Sequence, residues 1–254
     1  MDSRKHFAIL LQPGQAAFTP KSHSLNQERI WRHFQNDAPE VFQQADGRIR
    51  FLVRQLTLRA KTGAAVLNVG VGNGLFEELA IRAGINVYSL DPDAESIARL
   101  NLLPEMKGGA RVGCLESIPF AADVFDAVVV SEVLEHLSDK ALERALSEIH
   151  RVLVPRGIIT GTVPASENLS EQLTVCPCCG EKFHRWGHLQ SFDADRLRAL
   201  LSEGFKVQVI QEKFLAPWSY LDWKGKTVSV VKNSFLRLGI SWPGASLYFA
   251  ANKK

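Results

Sequence analysis

The stretch from Ala64 to Asp91 constrains this chain more than any other. It reads Ala-Ala-Val-Leu-Asn-Val-Gly-Val-Gly-Asn-Gly-Leu-Phe-Glu and ends Tyr-Ser-Leu-Asp. An apolar run over Ala64 to Val69 predicts a strand, which breaks at Gly70, Gly72, Asn73 and Gly74. A helix is predicted from Leu75 to about Ala83. A second apolar strand, Val87 to Leu90, then ends on Asp91. Glycines at such a corner permit positive φ and let a ligand come close to the main chain. The helix that opens there aims its unpaired N–H groups at whatever lies above the strand ends. A carboxylate at the next strand's tip can accept both hydrogen bonds of a ribose diol, and Asp91 follows at the required spacing of about 20 residues. A tight turn of any doubly wound sheet is the plainer alternative, and the placement of Asp91 weighs against it.

The alternation of strands and helices continues. Ala110 to Leu115 reads as a third strand, and Phe125 to Ser131 as a fourth whose middle, Ala127 to Val130, is continuously apolar, as expected where both faces of a strand are covered. Ser138 or Asp139 caps a helix reaching about Leu153, with Pro155-Arg156-Gly157 as its stop and Gly157 to Val163 as a fifth strand. A helix over Asp193 to Ser202 and strands over Phe205 to Ile210 and Leu247 to Ala250 complete the series. The expected class is α/β, with a doubly wound, mainly parallel sheet whose ligand lies beyond the strands' C-terminal ends, where Gly70, Asp91 and Ser131 fall.

The glycine corner, Asp91, and the strand leading into Ser131-Glu132-Val133-Leu134-Glu135-His136 together resemble the class I S-adenosylmethionine (SAM) methyltransferases. The resemblance covers residues 64–163 and, more loosely, 190–210 and 246–251. It implies a seven-stranded Rossmann-like sheet with a reversed last strand, and SAM as cofactor. Gly70, Gly72, Asn73 and Gly74 would hold the methionine part and Asp91 the ribose; Glu116 or Cys114, or the backbone alone, would meet the adenine edge, with Ser131 at the end of the fourth strand. Two positions depart from the family pattern: Asn68 and Cys114 stand where an acid is usual. The expected organisation is a helical cap over 1–62, a SAM-binding core over 63–163, a metal-knuckle insertion over 164–190, and the rest of the sheet with a helical excursion over 191–254. Within the cap, a helix from Ser24 to about Asn36 and another from Ala45 to Ala60 are expected to cover the cleft.

Glu132, Glu135 and His136 fall at i, i+3 and i+4 and would share a face if a helical turn begins there. Two carboxylates and an imidazole could hold a divalent cation, seat a general base, or pack beneath the cleft. The segment resembles the ubiquinone-pathway O-methyltransferases and also the small-RNA 3′-terminal 2′-O-methyltransferases, in which these residues bind a metal with a later histidine. The leading expectation is methyl transfer to a hydroxyl of a small molecule or glycan, with His136 as base and Glu132 and Glu135 orienting it or the acceptor. A terminal RNA ribose comes second, because a formal charge of +3 gives little attraction for nucleic acid. A nicotinamide-dependent oxidoreductase would share the glycine turn and Asp91 without needing the Glu-Val-Leu-Glu-His segment.

Three of the four cysteines crowd into Cys176-Pro177-Cys178-Cys179-Gly180, followed by His184 and His188. The turn is that of a zinc knuckle, and Cys176, Cys179, His184 and His188 make the tetrahedral set of a structural Zn2+ site. A redox cysteine pair, a polar loop whose histidines reach the active site, and a non-catalytic zinc-stabilised module are the alternatives. His188 is contested, since His188-Leu189-Gln190-Ser191-Phe192 resembles a segment that sets a histidine over the acceptor pocket. Trp218, Tyr220, Trp223 and Trp242 interleave with Lys224, Lys226, Lys232 and Arg237. That region could touch phosphate, an anionic lipid surface or a sugar face, or be a packed helix with a solvated side. The apolar run Phe7 to Leu11 is shorter than the apolar part of a signal peptide, and no stretch reaches membrane-span length, so the expected location is cytoplasmic.

Overall fold

The computed structural model describes residues 27–106, 109–238 and 244–254; the predicted cap at Ser24, the lead-in before it and Trp242 lie outside them. Seven strands form one sheet: β1 (Ala65–Val69), β2 (Asn86–Asp91), β3 (Ala110–Val112), β4 (Phe125–Ser131), β5 (Leu153–Pro164), β8 (Phe205–Lys213) and β9 (Ser246–Lys253). Their order is β3-β2-β1-β4-β5-β9-β8. All pairs up to β5 are parallel, and β9 runs antiparallel to both β5 and β8. The strand order reverses at β1, whose neighbours are β2 and β4, and that switch point opens a crevice beyond the strand tips.

Period-two alternation divides the core. On β4, Val128 and Val130 face a cluster with Leu142, Ala145 and Ile149 of α5 (Asp139–Val152) and Leu197 and Leu201 of α6 (Ala194–Ser202). Ala127 and Val129 face the opposite cluster, with Leu52 and Leu56 of α2 (Asp46–Thr57), Phe76 and Ala80 of α3 (Leu75–Arg82) and Ile97 of α4 (Ala94–Asn101). Each layer is apolar on one stripe only, and that is why β4 reads as an unbroken apolar run. Side-chain caps from Asp93, Ser138 and Asp193 fix the starts of α4, α5 and α6.

Several local expectations change. The third strand stops at Val112. α5 passes into β5 with no gap, and Pro155-Arg156-Gly157 lies within the strand instead of ending the helix. Arg156 takes φ 65° there, and its carbonyl accepts a hydrogen bond from Asn252 Nδ2. The reversed strand thus satisfies a backbone group that an irregular start would leave exposed. Ahead of β1, α1 (Gln27–Arg32), a π-helical turn (His33–Asp37) and a 3-10 turn (Pro39–Ala45) lead into α2. The 164–190 region, expected to lack strands, holds a hairpin of β6 (Leu173–Val175) and β7 (Lys182–His184). Three-residue strands are too short to print a periodicity on the sequence. In the C-terminal region, α7 (Trp223–Arg237) is the expected helical excursion.

Gly161 marks the closest approach in the sheet. A Cβ there would lie 1.7 Å from the Val130 carbonyl oxygen and 3.2 Å from the Phe249 ring. Gly161→Ala should therefore lower stability by about 3 kcal/mol or more, read as a fall in the urea midpoint with an unchanged slope.

Candidate active site

The crevice is built first by the glycine corner. Gly70 and Gly72 take φ 81° and 53°, conformations an L side chain adopts only under strain. A Cβ on Gly72 would also press on the Phe42 ring at 3.0 Å. Asp91, 2% exposed, ends β2 directly opposite. Its carboxylate accepts hydrogen bonds from Val71 N (2.9 Å), Asp93 N (2.8 Å) and Gln35 Nε2 (3.1 Å). Burial pushes this carboxyl above its ordinary pKa, and the hydrogen bonds offset that only in part. Gln35 belongs to the π-helical turn, and nothing in its sequence context announced it.

A cavity of about 310 Å³ opens over these groups. Gly70, Gly72, Asn73, Asp91, Glu116, Ser131, Glu132 and His136 line it, as does Cys114. Gly74 is not among the cavity's lining residues; with φ 82° it serves as the left-handed residue ahead of α3. Ser131 Oγ is held by Arg48 Nε at 3.1 Å and lies 3.1 Å from Thr162 Oγ1. Asn68, standing where the family has an acid, has an acid beside it: its Nδ2 donates to Glu77 Oε1 at 2.8 Å, and Ser89 Oγ donates to the same oxygen at 2.7 Å. Glu77 is fully buried, which raises its pKa.

The second half of the site follows β4. Glu132 takes φ 55°, a left-handed conformation uncommon outside glycine, while its N–H donates to Thr162 O at 2.8 Å. Only Leu134–His136 then form a 3-10 turn, so the expected shared helical face does not exist. The three side chains converge through the reversal at Glu132 instead. Arg48 Nη1 stands 3.9 Å from Glu132 Oε2. Glu135 is completely buried, and its backbone carbonyl receives the N–H groups of Leu189 and Gln190, which docks the 187–190 loop here. His136 Nδ1 is 3.2 Å from Gly187 O, and its ring meets Trp31 and His188 edge-on at 4.7 Å each.

Four atoms in this half, Glu132 Oε1, Glu135 Oε1 and Oε2 and His136 Nε2, are buried without a hydrogen bond. Burial first, then the nearby Glu132 charge, drives the Glu135 pKa well above its ordinary value. Burial and the neighbouring His188 hold His136 down to about 3. Buried carboxylate oxygens and an imidazole lone pair that no protein donor satisfies are the donor chemistry of a divalent cation site. One donor atom from each of Glu135, His136 and His188 lies within 4.8 Å of the others, and the same holds for Glu167, His184 and His188.

Among the described residues both gathered trios join histidines with carboxylates, and the expected Zn2+ set of Cys176, Cys179, His184 and His188 is not one of them. His184 ends β7 and the turn at Gly187 (φ 76°) brings His188 back, stacking the two rings at 4.5 Å and 18° without a helix. At the hairpin tip, backbone N–H groups of Cys179 and Cys178 face the Cys176 sulfur and lower its pKa. The aromatic and basic C-terminal region forms α7, which buries Ser229 and leaves Trp223, Val228 and Val230 exposed. Among the described residues, no helix is long and apolar enough to cross a membrane.

Comparison with known proteins agrees with this geometry. Residues 67–160 match the methyltransferase domain family. Human mitochondrial ubiquinone biosynthesis O-methyltransferase is 32% identical over 180 residues, covering 65% of this chain and 48% of that protein. Malonyl-[acyl-carrier protein] O-methyltransferase of Pectobacterium atrosepticum is 34% identical over 114 residues, covering 44% of this chain and 43% of its own. The chain thus spans about half the length of the curated relatives it matches. Among solved structures, a Burkholderia thailandensis 1,6-didemethyltoxoflavin-N1-methyltransferase with S-adenosylhomocysteine superposes with a TM-score of 0.62 at 18% identity, covering 89% of this chain and 88% of that one. A SAM-dependent methyltransferase of Methanosarcina mazei gives 0.57 at 17% identity, covering 78% and 96%. With the glycine corner, the buried Asp91 and the sheet order in place, the chain carries a methyltransferase domain over residues 67–160, on the fold of the SAM-dependent methyltransferases.

Proposed function

We propose that this chain transfers the methyl group of SAM to a hydroxyl oxygen of a small-molecule acceptor. The observation that carries the reading is one cavity joining two unlike halves: the glycine corner with Asp91, and Glu132 with His136 backed by Glu135 and His188. The O-methyltransferase relatives support the choice of oxygen.

A sulfonium methyl is already activated, so the protein's work is to align the acceptor and accept its proton. Gly70, Gly72 and Asn73 bind through the main chain, and Asp91 takes the ribose hydroxyls, with Gln35 exchanging or sharing its hydrogen bond. Glu116 and the backbone near Cys114 stand at the adenine end of the cavity. Burial and the neighbouring His188 hold His136 down to about 3, which makes it a weak acceptor for the hydroxyl proton. Its Nε2 lone pair suits ligation instead. Glu132, Glu135, His136 and His188 would hold a divalent cation, which supplies a Lewis-acid site that eases loss of the acceptor's proton. In its absence His188 is the imidazole left to accept that proton. A terminal ribose hydroxyl of RNA remains a second acceptor class, favoured by the meeting of His188 with Glu135 and His136.

Four outcomes test this. Asp91→Ala should weaken S-adenosylhomocysteine binding by on the order of 30-fold or more in isothermal titration; unchanged affinity would remove the cofactor assignment. With radiolabelled SAM and separate pools of phenols, sugars and a short RNA, transfer should appear with one acceptor class. His188→Ala should slow that transfer by on the order of 100-fold without altering cofactor affinity. Because burial keeps the proton on Glu135 to higher pH than usual, a cation must displace it. Mn2+ affinity should therefore rise from pH 6 to pH 8, and a pH-independent affinity would count against Glu135 as a ligand.

A further inference from the structure

We infer that Glu167 is the positioning residue of the acceptor half. Its carboxylate takes the Nδ1–H of His188, lies against His184, and so leaves Nε2 as the nitrogen that His188 can offer toward the Glu135–His136 cluster. This rests on the reading of that cluster as the place where the acceptor hydroxyl is activated.

The hydrogen-bond pattern sets the tautomers. His184 Nδ1 accepts the backbone N–H groups of Trp186 at 3.4 Å and His188 at 3.2 Å, so its proton resides on Nε2. That nitrogen faces Glu167 Oε1 at 3.4 Å. His188 Nδ1 lies 2.5 Å from Glu167 Oε2. An ionised carboxylate only accepts, so the proton of this bond sits on Nδ1, and Nε2 is the nitrogen His188 has left to offer. His136 reaches the same state by another route, giving Nδ1–H to the Gly187 carbonyl. One ring nitrogen from each of His136 and His188 lies within 4.8 Å of a Glu135 carboxylate oxygen.

Glu167 is itself held on both sides. Ser166 N donates to Phe192 O at 2.8 Å, and Ser191 Oγ donates to Glu167 O at 2.7 Å, so the backbone stays in place when the side chain is changed. Ligating imidazoles commonly give their second N–H to a carboxylate, which sets ring orientation and raises basicity. Glutamine at 167 would turn an amide NH2 toward one of the two imidazole N–H groups, donor against donor. One ring must then rotate or change tautomer.

The test uses the full chain as wild type, Glu167→Gln and Glu167→Asp, with Mn2+ titration, S-adenosylhomocysteine titration and 15N spectra of histidine-labelled protein. Glu167→Gln should weaken Mn2+ by on the order of 10–100-fold. It should leave S-adenosylhomocysteine affinity unchanged and convert His188 from a single Nδ1–H form to a mixture; Glu167→Asp should recover part of both losses. Unchanged Mn2+ affinity with an unchanged His188 tautomer overturns the inference. Should the wild type bind no Mn2+, the cation reading falls, and the His188 spectrum alone decides Glu167: loss of the Nδ1–H form supports it and retention overturns it. If Glu167→Gln does not fold, the same two readouts on Glu167→Asp decide.

Discussion

A carboxylate taken out of water must be compensated by donors fixed in place, and Asp91 shows where this protein supplies them. Two backbone N–H groups, from Val71 and Asp93, and the Gln35 amide meet its two oxygens. The first bond pins the glycine corner of β1 to the tip of β2. The second orders the entry to α4, and the third pulls the N-terminal cap over the crevice. One buried charge therefore fixes the relative positions of three chain segments that are distant in sequence. The cavity over the strand tips has the shape those positions allow.

The opposite half of the cavity carries the reverse condition. Glu132, Glu135 and His136 present buried polar atoms without hydrogen bonds, a state that costs stability wherever nothing binds it. The surrounding structure is committed to keeping them there. Glu132 is turned inward by its left-handed backbone, Glu135 anchors the 187–190 loop through its carbonyl, and Arg48 of α2 approaches the Glu132 carboxylate. The cap thus touches both halves, Gln35 at the cofactor side and Arg48 at the acceptor side. Movement of the cap would loosen both at once.

The hairpin insertion contributes at both of its ends. Its tip carries Cys176, Cys178 and Cys179, and its base delivers His184 and His188 beside Glu135 and His136. In the sequence Cys176, Cys179, His184 and His188 look like one ligand set because they are close along the chain. The hairpin separates them, since β7 carries the histidines away from the cysteine turn. Glu167, which binds both imidazoles, precedes them by 17 and 21 positions (184 − 167 and 188 − 167) and carried no motif.

The sequence by itself determined the parallel sheet, the glycine corner, Asp91 and the segment from Ser131 to His136. These are local statements: a strand's apolar period, a positive φ that glycine tolerates, and an acid at a strand tip all act within about a dozen residues of where they are written. Folding settled what local reading left open: His188 lies beside Glu135 and His136, Gln35 reaches Asp91, Arg48 approaches Glu132, and Glu167 meets His188. Those outcomes depend on which buried polar atoms end up facing one another. That is a property of loop closure and packing between distant segments, and no spacing along the chain encodes it.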